Sequence, residues 1–225
     1  MHLAVKRCLS SYPCAFWGSF VRSVERPSHV SRSSRSLSFS FAGPRKLNDI
    51  VKKELIDEKT SSEIADIWLT FHETKENSHG LILKGKEAEK ILSRAKACPF
   101  FIQPVFREGG HFNLVSQFQG PCYFLMAYLE DYQMDPRAAT PLLTFSIFDD
   151  YSTTKDLTMV RCDVINKGIA DDEGLKIVHS MLDAYRKDSE YKTVEAFNKT
   201  PDSFDLDSFL SQQEKQWKNP PSVSE

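Results

Sequence analysis

The sequence predicts a single α+β domain in which a mainly antiparallel central β-sheet is flanked by helices. Residues 100–164 alternate apolar and polar side chains and are dense in aromatic and β-branched residues, which is typical of strands. The segments before and after this stretch carry apolar residues at helical spacing instead. Because short turns join the successive strands, we expect them to pair in antiparallel fashion.

Length and composition exclude several classes of protein. The chain has 225 residues, of which 40% are hydrophobic and 27% charged, as in a globular protein with one ordinary domain. Its best apolar run, residues 122–129, has eight residues, whereas a membrane-spanning helix needs about 20. A net charge of −2 argues against a strongly basic nucleic-acid binder. We therefore expect neither membrane insertion nor nucleic-acid binding.

Residues 1–45 are predicted to be a disordered mitochondrial transit peptide. Residues 1–46 hold eight basic side chains, one acid and eleven serines, a net charge of +7, and the remainder of the chain carries −9. A serine- and arginine-rich, acid-poor segment is typical of such presequences, and residues 35–37, Arg-Ser-Leu, resemble a processing site. A secretory signal is less well supported because no compact apolar block follows the basic start. A disordered basic tail that binds RNA or membrane stays open as an alternative.

Three helices are predicted before the sheet. The first is amphipathic, with Leu47, Ile50, Val51 and Leu55 at helical spacing. A capping box at residues 60–63, Thr-Ser-Ser-Glu, opens the second. The third must end by Cys98, because a proline follows. The apolar stripes of the second and third helices are Ile64, Ile67, Trp68 and Phe71, and Ala88, Ile91, Leu92 and Ala95.

The predicted strands cover residues 100–106, 111–118, 122–129, 143–147 and 160–164. Pro104 cannot donate a hydrogen bond to a neighbouring strand, so the first of these strands is expected at an edge or a bulge. Turns at Gly109-Gly110 and Gly120-Pro121 separate the first three strands.

Helices are predicted again after the sheet, and residues 46–218 form the expected domain. Three acids at residues 171–173 suit a helix start, where the helix dipole favours negative charge. Two shorter helices follow, and residues 219–225 are predicted to be a flexible tail. The apolar stripes of the three helices are Leu175, Val178, Met181, Leu182 and Tyr185; Tyr191, Val194 and Phe197; and Leu206, Phe209 and Leu210.

A search for catalytic chemistry predicts no catalytic, cofactor-binding or metal-binding residue. Residues 80–87 fit G-x-x-x-x-G-K, but Glu87 stands where a P-loop needs Ser or Thr, so a short strand, a turn and a helix start are expected. The histidines lack metal-ligand spacing. In a reducing matrix, Cys98, Cys122 and Cys162 are expected to be free thiols. The paired acids Asp149 and Asp150 could bind a cation or act as acid and base, although acids at a strand end are usually turn residues.

Several segments, taken in their order, resemble a known family. From about Lys46 to Trp217 the chain resembles the mitochondrial ATP synthase F1 complex assembly factors that act as chaperones of the catalytic beta subunit. The segments that carry the resemblance are residues 46–51, Ile67-Trp68, residues 97–105, 107–112, 117–119, 122–124, 141–145, 157–161 and 191–198. The loop at residues 134–139 departs from the pattern.

The resemblance implies a protein without enzyme activity or cofactor. It implies a chaperone that binds the unassembled beta subunit and prevents its aggregation until the alpha subunit displaces it. We expect a monomer, located in the mitochondrial matrix. We expect Leu47, Ile50, Val51 and Leu55 to contact that partner, although the same helix could simply pack on the sheet. The alternative function is a small matrix hydrolase that uses Asp149, Asp150 and a histidine.

Overall fold

The computed structural model describes residues 45–218. Residues 1–44 and 219–225, which hold the predicted presequence apart from Arg45 and the predicted tail, lie outside the described residues. The helices are α1 (Lys53–Ile56), α2 (Ser61–Glu73), α3 (Gly85–Ala97), α4 (Leu129–Met134), α5 (Ser152–Lys155), α6 (Asp171–Arg186), α7 (Asp188–Lys199) and α8 (Leu206–Lys218). The strands are β1 (Ser78–Leu83), β2 (Phe100–Arg107), β3 (Gly110–Gln119), β4 (Tyr123–Tyr128), β5 (Pro141–Phe148) and β6 (Thr158–Val164). Single 3-10 turns lie at Leu47–Asp49 and Pro201–Ser203.

The six strands form one antiparallel sheet in the order β1-β6-β5-β4-β3-β2, which confirms the predicted fold class. Four of the five pairings join strands that follow each other along the chain. Short turns connect β2, β3 and β4 as predicted, whereas the connections on either side of β5 are longer and contain α4 and α5. The fifth pairs β1 with β6, so that Ser78 lies opposite Asp163. This pairing places β1, and the helix α2 that precedes it, at the far end of the sheet from β2.

The first strand of the predicted series lies at a sheet edge, as Pro104 requires. Asn198 of α7 covers part of this edge. Its side chain accepts a hydrogen bond from the Phe100 amide at 3.2 Å and donates one to the Phe100 carbonyl at 2.6 Å. One amide side chain thus takes the place of a neighbouring strand at this residue.

One face of the sheet packs on helices α3, α6, α7 and α8 and forms the main core. Phe124 and Phe145 stack there with ring centroids 4.4 Å apart, and Tyr185 of α6 lies 5.6 Å from Phe124. Phe101 contacts α7 through Phe197 at 5.8 Å and α8 through Phe209 at 5.5 Å. The stripes predicted for these helices are largely the residues that the helices bury, because amphipathic helices must cover an apolar sheet face.

The opposite face of the sheet is partly polar. Residues that pair directly on neighbouring strands lie on the same face of the sheet. The pairings therefore define two rows of residues that cross the strands on this opposite face, two residues apart along each strand. Arg161 in one row is buried and bonds Asp163 in the other, with its Nε 2.9 Å from Oδ2 and its Nη2 2.7 Å from Oδ1. The rows are Ser78, Asp163, Thr144, Leu125, Gln117 and Phe100, and Gly80, Arg161, Ser146, Tyr123 and Gln119.

A second, smaller apolar cluster lies on the same face as these polar rows. Its residues come from the N-terminal segment and from the end of β5 through the start of β6. Because it is distinct from the main core, it gives the N-terminal segment its own packing surface. The buried members are Leu47, Ile56, Ile64, Trp68, Phe148, Tyr151, Leu157 and Met159.

Candidate partner-binding surface

The predicted partner-binding residues lie in an N-terminal arm, which we define as residues 47–57. The arm is not the single amphipathic helix that the spacing predicts. A 3-10 turn at Leu47–Asp49 is followed by extended backbone at Lys52, and α1 then has only four residues. The β-branched pair Ile50-Val51 disfavours helix continuation, and so short a segment has little helical stability of its own.

The break in the helix at Lys52 changes which side chains of the arm face the second cluster and which face solvent. Leu47 is 3% exposed and belongs to the second cluster, and Ile50 and Val51 are half-buried against it. Leu55 is 66% exposed, and Ile56, which the spacing did not single out, is buried in its place. Because α1 starts at Lys53 in a new phase, the predicted stripe is split between the inside and the surface.

Two polar contacts fasten the arm to the turn after β5. Lys53 Nζ lies 3.1 Å from Asp150 Oδ1 and 5.5 Å from the centroid of the Tyr151 ring. The Tyr151 hydroxyl donates a short hydrogen bond to the carboxylate of Asp57. Burial and this bond raise the pKa of Tyr151, so that the hydroxyl keeps its proton and remains a donor.

Helix α2 covers the rest of the second cluster. Its capping box is confirmed: the Glu63 amide donates to Thr60 Oγ1 at 3.3 Å, and Glu63 Oε2 accepts from the Thr60 amide at 2.8 Å. Ile64 and Trp68 are buried as predicted, and Trp68 Nε1 donates to the Val160 carbonyl at 3.1 Å. The prediction for Ile67 was wrong, because this side chain is exposed.

His72 completes the buried stripe of α2, one turn after Trp68. Its Nδ1 lies 2.7 Å from the Trp68 carbonyl, which can only accept, so Nδ1 carries the proton. Burial lowers the pKa of His72 and keeps the ring neutral near pH 7. The sequence offered Phe71 for this role, but spacing alone does not rank a polar ring above an apolar one.

Several large apolar side chains of the domain are exposed to solvent. In the described part of the chain five large apolar residues are exposed, and three of them, Leu55, Ile67 and Leu69, lie in the arm or in α2. The other two are Met134 and Ile165. Exposed apolar residues favour contact with another protein, so the arm and α2, which hold three of the five, are the candidate surface.

The alternative acidic site is not assembled. Asp150 pairs with Lys53, and the Asp149 carbonyl accepts from the Ser152 amide at 3.0 Å, which is the geometry of a turn at a helix start. None of the four histidines in residues 45–218 hydrogen-bonds to either carboxylate; His79, for example, contacts Asp171 instead. The described residues also contain no group of three or more His, Cys, Asp and Glu that could hold a metal ion.

The remaining motifs have structural roles. Residues 80–87 form the end of β1 and the start of α3, as expected, and the Lys84 amide donates to Glu87 Oε2 at 3.3 Å. Cys98, Cys122 and Cys162 are free, and burial raises the pKa of the thiols of Cys122 and Cys162. None of the helices at residues 45–218 is long and apolar enough to cross a membrane.

Comparison with known proteins identifies relatives of the chain. A family model described as "ATP11 protein" matches residues 22–210, so the match includes residues that precede the described domain. The chain is similar to the ATP synthase mitochondrial F1 complex assembly factor 1 of Homo sapiens, with 24% identity over 200 residues that cover 88% of this chain and 60% of the relative. The proteins of the same name from Danio rerio and Mus musculus are 20% and 23% identical over 82% and 87% of this chain. This chain covers 61% and 60% of those two relatives, so it spans about three fifths of the relatives that it matches.

Proposed function

The chain belongs to the ATP11 protein family, and from this premise we propose that it is a non-catalytic assembly factor of the mitochondrial F1 ATP synthase. We propose that it binds the unassembled beta subunit in the mitochondrial matrix, as a monomer, until the alpha subunit takes its place. The observation that carries the proposal is the match of the family model across residues 22–210, together with relatives named as F1 complex assembly factors.

Simple binding is sufficient for such a role. A subunit that has not met its partner exposes an apolar interface, and that interface favours self-association. A protein that binds the interface lowers the concentration of the free subunit by mass action, without chemistry of its own. The described domain supports this proposal because it exposes apolar residues in the arm and α2.

We propose that Leu47, Ile50, Val51 and Leu55 of the arm contact the partner. Leu55 is available directly because two thirds of its surface is exposed. A matched control exists in Met134, a flexible apolar side chain that is 80% exposed at the end of α4, outside the arm. A charge at either position changes solubility in a similar way, but only the one in the arm should affect binding.

The experiment is a pull-down of isolated F1 alpha and beta subunits by the full 225-residue chain and two variants. We expect the chain to retain beta alone and to release it when alpha is added. Leu55→Glu should lower beta retention at least tenfold, and Met134→Glu should leave it unchanged. Retention of neither subunit would contradict the assembly role. Equal retention by both variants would exclude Leu55 from the interface.

A further inference from the structure

We propose that the arm is a detachable strap whose release regulates the binding of the partner subunit. The inference rests on the proposed function for the identity of the partner, but not for the behaviour of the arm. In the closed arrangement Leu47 is almost completely buried, and Ile50 and Val51 are half-buried. Three of the four proposed binding residues can therefore reach a partner fully only after the arm leaves the domain.

The core of the domain does not depend on the arm. Leu47 and Ile56 belong to the second cluster, whereas the main core is built from residues 81–209 and contains no arm residue. Release of the arm therefore opens one side of the small cluster and leaves the main core closed. Cooperative units of this kind open at lower free energy than the whole domain.

Besides the packing of Leu47 and Ile56, two polar contacts hold the arm, and both lie at the turn after β5. Lys53 pairs with Asp150, and Asp57 accepts from Tyr151, the next residue in the chain. The side chains of Lys53 and Asp150 are each about one-third exposed, at 35% and 33%, so water weakens their attraction. A four-residue helix is marginal in water, so α1 depends on its contacts with the domain.

Release exposes an apolar surface as well as the arm. Tyr151 belongs to the second cluster, is buried in the closed arrangement, and contacts Lys53 and Asp57 of the arm. Aromatic side chains of this kind each bury roughly 150–250 Å² and dominate protein interfaces. Under this proposal the strap keeps this surface out of water until the partner subunit covers it.

The first test needs no partner. Asp57→Ala removes the acceptor of the Tyr151 hydroxyl and leaves the apolar surface unchanged. Trypsin should then cut after Lys52 and Lys53 roughly tenfold faster, because a hydrogen bond to a charged group has been lost. Cleavage after Lys176 in α6 should accelerate only as much as the loss of global stability, measured by thermal unfolding, predicts. If arm and body sites accelerate equally, cleavage passes through global unfolding and the strap is refuted.

The matched control is Tyr185→Phe. The Tyr185 hydroxyl donates a hydrogen bond to the Cys98 carbonyl at 2.8 Å inside the main core, so removal of the hydroxyl weakens the whole domain. We expect this variant to accelerate cleavage in α6 without the selective acceleration in the arm. Selective arm cleavage in Tyr185→Phe would also overturn the proposal.

The second test measures the affinity of the full chain for the isolated beta subunit. If release must precede binding, the closed state lowers the apparent affinity, and Asp57→Ala should raise that affinity several-fold. Unchanged or weaker binding by Asp57→Ala overturns the regulatory role. If neither chain binds beta but arm cleavage is selective, the strap is supported and the proposed function is refuted.

Discussion

Replacement of Gly80 by alanine tests the packing of α2 on the sheet. Gly80 lies on β1 under α2, and a Cβ added there would be 2.6 Å from His72 Nδ1 and 3.0 Å from Trp68 Nε1. Neither ring is free to move. His72 Nδ1 donates to the Trp68 carbonyl, and Trp68 Nε1 donates to the Val160 carbonyl. The added methyl group must therefore displace α2 or break one of these hydrogen bonds.

Two opposing effects set the size of the change. Alanine in a strand costs less backbone entropy than glycine and favours the variant by about 0.5–1 kcal/mol. Overpacking of a closed site costs about 1–3 kcal/mol. The contact should dominate because both rings are buried and hydrogen-bonded. We expect Gly80→Ala to destabilise the domain by about 1–2 kcal/mol, which corresponds to a fall in Tm of roughly 2–8 °C for a chain of this size.

The assay is urea and thermal unfolding followed by circular dichroism. Gly120→Ala is the control, because an added Cβ there meets no heavy atom within 4 Å. The double variant Gly80→Ala with His72→Ala should recover about 1 kcal/mol relative to the sum of the single changes, since the missing ring makes room. The packing argument fails if Gly80→Ala is as stable as the wild type, or if the two substitutions are additive.

Three further predictions concern stability. Thr60→Ala should lower the free energy of unfolding by about 1 kcal/mol in urea titrations, because α2 loses its N-cap acceptor, and Thr60→Ser should lower it far less. Arg107→Met should cost about 1–3 kcal/mol at pH 7, because the buried Glu173 carboxylate loses two hydrogen bonds. Arg107 holds the pKa of Glu173 below its usual range, so this stabilisation is present at neutral pH and disappears as the pH falls below about 4. The difference in urea midpoint between the wild type and Arg107→Met should therefore be smaller at about pH 3 than at about pH 7. His72→Asn should make stability less sensitive to pH as the pH falls below about 6.5, because burial lowers the pKa of His72 and the unfolded wild type takes up a proton before the folded protein does; an unchanged pH profile would contradict this.

Local patterns predicted most of the elements correctly. The capping box at Thr60, the stop before Pro99 and the edge position of Pro104 each depend on the chemistry of one or two residues, and the structure confirms all three. The hairpins β2-β3 and β3-β4 follow from short turns in the same way. Such features depend on a few neighbouring residues, because a helix cap makes its hydrogen bonds within one turn and a proline lacks the N–H that an interior strand needs.

The arm shows where spacing was insufficient. Leu47, Ile50, Val51 and Leu55 fit one helix, but the backbone breaks at Lys52 and buries Ile56 in place of Leu55. The contacts that decide this are with Asp150 and Tyr151, almost 100 residues away. A short helix has too little stability of its own to resist such contacts.

Residue order alone was enough to predict the α+β class, most helix and strand positions and the resemblance to a family of assembly factors. All of these depend on residue order and short-range hydrogen bonding. Contacts made only in the folded domain pair β1 with β6, separate the second cluster from the main core, and turn four of the five apolar residues of the arm inward. These features depend on contacts between residues far apart in the chain, which the periodicity of any one segment does not specify.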